Sequence, residues 1–152
     1  MHTVTISHNY DQPAGKVWEA LVNFGDVQAY HPLVKESSII NGQDRGKGAE
    51  RVCHFKDGNS IRERIIDYTP DKNYQVEIFD MGKFPLKKAI AHLEVQEQGP
   101  DSSSVTFKMD FQPKFGFIGT IMAKMMMEKQ FGKTLDMVLT GLEKHVRKEE
   151  KD

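Results

Sequence analysis

The last quarter of this chain reads as one amphipathic helix over residues 116–147, and that helix constrains everything placed before it. Ile118, Ile121, Met122, Met125, Phe131, Leu135, Val138, Leu139, Leu142 and Val146 recur at helical spacing. Lys124, Lys129, Lys133, Glu143 and Lys144 fall mainly on the other side. Roughly 30 residues at ~1.5 Å each make a rod of about 45 Å, long enough to cross a small domain. Such a rod needs a sheet to receive its apolar stripe. If that sheet is curved, the space between the two becomes a pocket.

The text ahead of the helix supplies the sheet. Val4, Ile6 and His8 alternate with Thr3, Thr5 and Ser7, the pattern of a strand with one buried face. Asp11-Gln12-Pro13 opens a short helix whose stripe is Val17, Trp18, Leu21 and Phe24, with Gly25 as its stop. Residues 26–30 read as a further helical turn, broken before Pro32. Strands follow at 34–40, 48–56, 60–68, 73–80, 86–96 and 103–112, separated by turn residues such as Asn41-Gly42, Asp57-Gly58 and Gly99-Pro100. No helix intervenes, so an antiparallel meander is expected. The 152 residues show no repeat, linker or boundary, and one domain over 1–152 is expected, with a frayed end after 147.

Composition narrows the function classes. A net charge of −1 gives no electrostatic case for nucleic acid or an anionic membrane surface. The one cysteine, Cys53, excludes an internal disulfide and suits a reducing cytoplasm. No signal peptide and no apolar run of ~18 residues is found, so a cytoplasmic protein without a membrane span is expected. No histidine pair has a metal site's spacing with a carboxylate, and no phosphate loop, dinucleotide fingerprint or Gly-x-Ser-x-Gly occurs. Neither metal nor cofactor is expected.

The Asp57-Gly58 turn assigns the faces of its two strands. A two-residue loop pairs Lys56 with Asn59 and His54 with Ile61. One face then carries Val52, His54, Ile61, Glu63 and Ile65; the other carries Arg51, Cys53, Phe55, Arg62, Arg64 and Ile66. Three arginines together favour solvent, so the first face is expected to point inward. Tyr74, Val76 and Ile78 share a side, as do Ala89, Ala91, Leu93 and Val95, and Val105, Phe107, Met109 and Phe111. The two alanines leave room.

An ordered set of residues spans most of the chain: Pro13, Val17-Trp18, Phe24, Tyr30-His31-Pro32, Gly46-x-Gly48, Arg51, Asp57-Gly58, Glu63, Asp67, Tyr74, Pro85, Val105 and Phe111-x-Pro113. In this order they resemble the START-like (SRPBCC) superfamily, above all its polyketide cyclase/dehydrase and lipid-transport branch. The resemblance implies an α+β helix-grip fold: a curved seven-stranded antiparallel sheet wrapped around a long C-terminal helix. It also implies a deep cavity that binds an apolar or amphipathic small molecule. Members include lipid carriers, plant hormone receptors and aromatase/cyclases, so membership leaves open whether the chain is an enzyme. The cavity walls are expected from Ile61, Glu63, Ile65, Val76, Ile78 and Ala91, then Leu93, Phe107, Met109, Met122, Met125 and Leu135. Pro32 and Leu33 are expected near the mouth.

The sharpest chemical pair is His54 with Glu63, diagonal neighbours on the inward face in the register above. A carboxylate beside an imidazole in an apolar cavity can hold a polar ligand group or move a proton. The plainer reading places them at the mouth, satisfied by water or each other. His8 reads as a core or rim histidine, and His31 as a cap on a turn or a residue of the entrance. Helical spacing puts Met122, Met125 and Met126 together and Met127 elsewhere, either lining the pocket or packing the core. Phe115, Phe117 and Met127 could instead form an apolar patch for a partner, in a monomer or weak homodimer. The expected function is binding, transport or sensing of an apolar ligand. The alternatives are a cyclase or dehydratase using Glu63 or His54, and a regulator that offers Arg51, Arg62 and Arg64 to an acidic partner.

Overall fold

A computed structural model describes residues 2–114 and 117–151, with side chains described for 2–114 and 125–148. Strand β1 (His2–Tyr10) leads into helix α1 (Ala14–Val22) and a 3₁₀ turn (Val27–Ala29). Six strands follow: β2 (Val34–Ile39), β3 (Glu50–Phe55), β4 (Ser60–Thr69), β5 (Asn73–Asp80), β6 (Leu86–Gly99) and β7 (Ser102–Pro113). Helix α2 (Phe117–Lys151) closes the chain and continues four residues past the expected fraying point at 147. The strands form one curved, open antiparallel sheet in the order β1-β7-β6-β5-β4-β3-β2. With α2 lying across it, the architecture is the α+β helix grip.

Alternation decides which way the sheet faces. Tyr74 and Val76 of β5, Ala91, Leu93 and Val95 of β6, and Val105 of β7 are buried on the concave side. Against them lie Leu135, Val138, Leu139, Leu142 and Val146, the second half of the helical stripe. Helix α1 buries Val17, Trp18 and Leu21 at one end, where Trp18 meets Tyr74 edge-on at 6.0 Å. Two hydroxyls tie the helices to this core. Tyr10 donates to the Leu139 carbonyl of α2, and Tyr74 donates to the Leu21 carbonyl of α1 at 3.2 Å. At Gly141, a side chain on α2 would stand 2.1 Å from the Tyr30 carbonyl oxygen, so the helix can meet the 3₁₀ segment there only as glycine.

The β3–β4 hairpin departs from the expected register. The Phe55 amide donates to the Asn59 carbonyl at 2.8 Å, and Cys53 pairs with Ile61. The loop therefore holds three residues, with Gly58 at φ +95° and the Asp57 carboxylate accepting from the Asn59 amide at 2.9 Å. A slip of one residue sends every side chain of β3 to the opposite face. Arg51, Cys53 and Phe55 turn inward, while Val52 and His54 turn outward. Strand β4 keeps its expected faces, with Ile61, Glu63 and Ile65 buried.

Candidate ligand-binding site

Between the concave face of the sheet and α2 lies a cavity of about 510 Å³. Its floor is formed by Leu21 and Val27 from the α1 region and by Val138, Leu139 and Leu142 from α2. Of the residues expected in its walls, Leu33, Ile61, Glu63, Val76 and Ile78 line it, as do Ala91, Leu93, Phe107, Met109 and Leu135. The side wall is largely apolar because β5, β6 and β7 each present alternate apolar residues to it.

Four expected residues stand elsewhere. His54 lies on the outer face, where Nδ1 meets the Ser60 hydroxyl at 2.7 Å, so it cannot form an inward pair with Glu63. Ile65 is buried but lies beyond the cavity wall, its amide bonded to the Ala49 carbonyl at 3.0 Å. Pro32 lines a groove outside the cavity. Met125 is 74% exposed, because Met127 and Phe131 take the sheet-facing side and pack near Leu86, Ala89 and Phe111. Two helical residues apart is about 200° of rotation, which puts Met125 on the far side. The same phase makes Met126 exposed and leaves Met127 half-buried, so the expected grouping of these methionines is reversed. Met122, Phe115 and Phe117 lie outside the described side chains.

The deep end of the cavity holds the polar cluster that the slipped register had hidden. Arg51 is buried, its guanidinium 3.9 Å over the Phe24 ring. Its Nε donates to Glu63 Oε1 at 3.0 Å, and Nη1 donates to the Phe24 carbonyl at 3.0 Å. The Cys53 thiol donates to the same Glu63 oxygen at 3.3 Å. Burial works against the charge on Arg51, but facing Glu63, Cys53, Tyr30 and Tyr74 raises its pKa further, so the guanidinium stays charged. Burial pushes the Cys53 thiol up, and Glu63 pushes it further, so it stays protonated and a poor nucleophile. Burial likewise raises the Tyr30 hydroxyl, partly offset by Arg51. Tyr30, Arg51, Cys53 and Glu63 all reach the cavity wall. Sequence reasoning placed Arg51 and Cys53 in solvent; a three-residue reading of the Asp57-Gly58 loop carries the signal that finds them.

The mouth is marked by exposed lining residues: Leu33, Lys56, Asp57 and Gln130. Three rings cross it. His31 meets Phe55 edge-on at 5.8 Å, and Phe55 meets Phe84 edge-on at 5.6 Å. Nδ1 of His31 accepts the Leu33 amide at 3.2 Å, so the ring caps the turn into β2 while lining the entrance. Burial lowers its pKa to about 4, and nearby Arg51 lowers it too, against Glu63, which raises it. Asn59 ties the two rim loops together, its side-chain oxygen accepting the Lys83 amide at 2.7 Å.

The remaining candidates are structural. His8 bridges β1 to α2 through Asp136 at 2.7 Å. Arg62 and Arg64 remain on the outer face, near Asp80 at 3.9 Å and Glu50 at 3.1 Å; Arg51 does not join them, so the expected three-arginine stripe is absent. Among the described residues, no cluster of histidine, cysteine and carboxylate side chains could hold a metal ion, and no helix is long and apolar enough to cross a membrane.

Solved structures share this fold. The Zhui aromatase/cyclase from Streptomyces sp. R1128 superposes with a TM-score of 0.82 at 13% identity, covering 96% of this chain and 93% of that one. A START superfamily protein from Mycobacterium smegmatis gives 0.80 at 16% identity over 97% and 99% of the two chains. XoxI from Bacillus cereus gives 0.79 at 20% identity over 99% of each. At these identities the likeness is one of fold. No curated protein matches the chain in sequence. The model of the family described as polyketide cyclase / dehydrase and lipid transport matches residues 1–147, and the chain belongs to that family.

Proposed function

We propose that the protein captures an apolar or amphipathic small molecule in its cavity and carries, senses or shields it without transforming it. The observation that carries this reading is a mostly apolar cavity of about 510 Å³ whose buried polar groups are bonded to one another. That volume falls within the ~300–1,000 Å³ typical of small-molecule sites. At ~25 cal/mol per Å², covering a few hundred Å² of apolar ligand gives several kcal/mol before entropic losses, enough for useful affinity. Turnover asks for more: a nucleophile, acid or base oriented by a second group and free to react. Here the thiol is protonated and the imidazole of His54 faces outward. The reading places the protein in the cytoplasm, as a monomer or weak homodimer, which suits its single unpaired cysteine.

One observation favours a second reading. Glu63 and Tyr30 both line the cavity beside Arg51, an arrangement able to polarise a carbonyl and move a proton. A cyclase or dehydratase on a polyketide-like substrate is therefore the alternative, with Glu63 as the proton carrier. Native mass spectrometry of protein purified from its own host separates the two. A lipid or isoprenoid recovered unchanged supports capture. A co-purified aromatic polyketide converted by wild type but not by Glu63→Gln overturns it.

A further inference from the structure

A second depression of about 590 Å³ runs outside the cavity, between the segment 28–34 and the C-terminal half of α2. It differs from the cavity in charge. Lys56, Lys144 and Lys148 line it, the last two one helical turn apart, and all three are exposed. None of the three enters an ion pair among the described residues. Among the described residues its lining has one carboxylate, Asp136, and one oxygen of that group is already held by His8 at 2.7 Å. On a chain of net charge −1, this is a local excess of cations.

The groove also adjoins the cavity. Buried Tyr30 and Val34 form a wall common to both, and His31 and Lys56, at the cavity mouth, line both. The Arg51 charge is already balanced by Glu63, and its Nε and Nη1 donate to Glu63 and the Phe24 carbonyl, which disfavours a second anion at this end of the cavity. A carboxylate or phosphate there would meet the charge of Glu63 in a desolvated setting. A molecule with an apolar part and an anionic part therefore has one favourable orientation, apolar end inward and anion outward.

We propose that cavity and groove form one site for an anionic amphiphile, with its apolar part in the cavity and its phosphate or carboxylate on Lys56, Lys144 and Lys148. The inference rests on the capture reading above and adds the ligand's charge and direction. Charge-assisted contacts to two or three ammonium groups at a half-open site correspond to about a tenfold gain over an uncharged analogue, reduced by salt.

The test compares three probes by titration calorimetry below their micellar concentrations: 1-oleoyl lysophosphatidate, monoolein with the same acyl chain, and glycerol 3-phosphate with none. Wild type and Lys144→Gln/Lys148→Gln are used, both solvent-facing changes whose melting temperature is checked first. Lysophosphatidate is expected to bind wild type about tenfold more tightly than monoolein, and the preference is expected to shrink to about twofold in the double variant while monoolein affinity holds. Equal affinities in wild type, or a preference undiminished in the variant, overturn the proposal and leave the capture reading standing. Glycerol 3-phosphate binding as tightly as lysophosphatidate overturns the joint site, making the groove a separate anion site. Binding of neither oleoyl probe overturns both readings.

Discussion

Arg51 and Glu63 show how much a single strand position decides. Both are buried, and each compensates the other's lost hydration. Arg51→Met leaves the Glu63 carboxylate without its guanidinium, and a loss of about 3–5 kcal/mol is expected in urea denaturation. Arg51→Met/Glu63→Met removes both charges and is expected to recover most of that loss; a double variant no better than the single one refutes this account of the pair. His31 gives a second expectation. Its folded pKa of about 4 lies below the unfolded value of about 6.5, so the unfolded chain binds the extra proton between those values. Stability is then fully present above about pH 6.5 and declines as pH falls toward 4. Thermal melts of His31→Asn should show a shallower decline across that window than wild type; parallel slopes would count against it. Glu63 was legible in the sequence as an inward carboxylate, because β4 alternates cleanly. Arg51 was not, since its composition argued for solvent and only the loop length argued otherwise.

Elements were easier to read than the way they meet. The strands and both helices follow from periodicity and turn residues, which act over a few neighbours. The Asp57-Gly58 sequence suits both a two- and a three-residue loop, and the choice between them rests on packing across the sheet. The phase of α2 near Met125 was hidden for a similar reason: a run of methionines is apolar on every side, and the packing of Met127 and Phe131 on the cluster around Phe111, with Phe131 at 4.8 Å, fixes which side faces in. Gly141 gives the element-scale prediction. At an ordinary helix position glycine to alanine gains ~1 kcal/mol, but here the added methyl meets the Tyr30 carbonyl. Gly141→Ala is expected to cost about 1–3 kcal/mol in chemical denaturation, as the 3₁₀ segment is pushed off the helix. A stabilised variant would show that the approach is looser than described.

For the molecule as a whole, the cavity is a region where the core is left unfilled. Ala91 lies in its wall between Val76 and Met109, the residues it pairs with on the flanking strands. Enlarging a packed core residue costs about 1–3 kcal/mol, whereas Ala91→Phe extends into empty space. Its stability is expected to stay within ~1 kcal/mol of wild type while native mass spectrometry finds no bound ligand. A fully folded variant that still carries ligand would move the binding site elsewhere. The small residues of β6 had indicated a void in the sequence, but its polar end and its groove depend on how distant segments approach.

The sheet order has a further consequence, for the chain as it is made. Strand β1 lies at one edge and its partner is β7, so Ser7 waits for Thr106, 99 residues further along. At ~5–20 residues per second, that wait is about 5–20 s. Apart from the end that α1 packs on, the concave apolar face has no cover until α2 emerges later still. The nascent chain thus passes through a long interval with its stickiest surface open, and its yield in the cell should depend on a holding chaperone more than its final stability suggests.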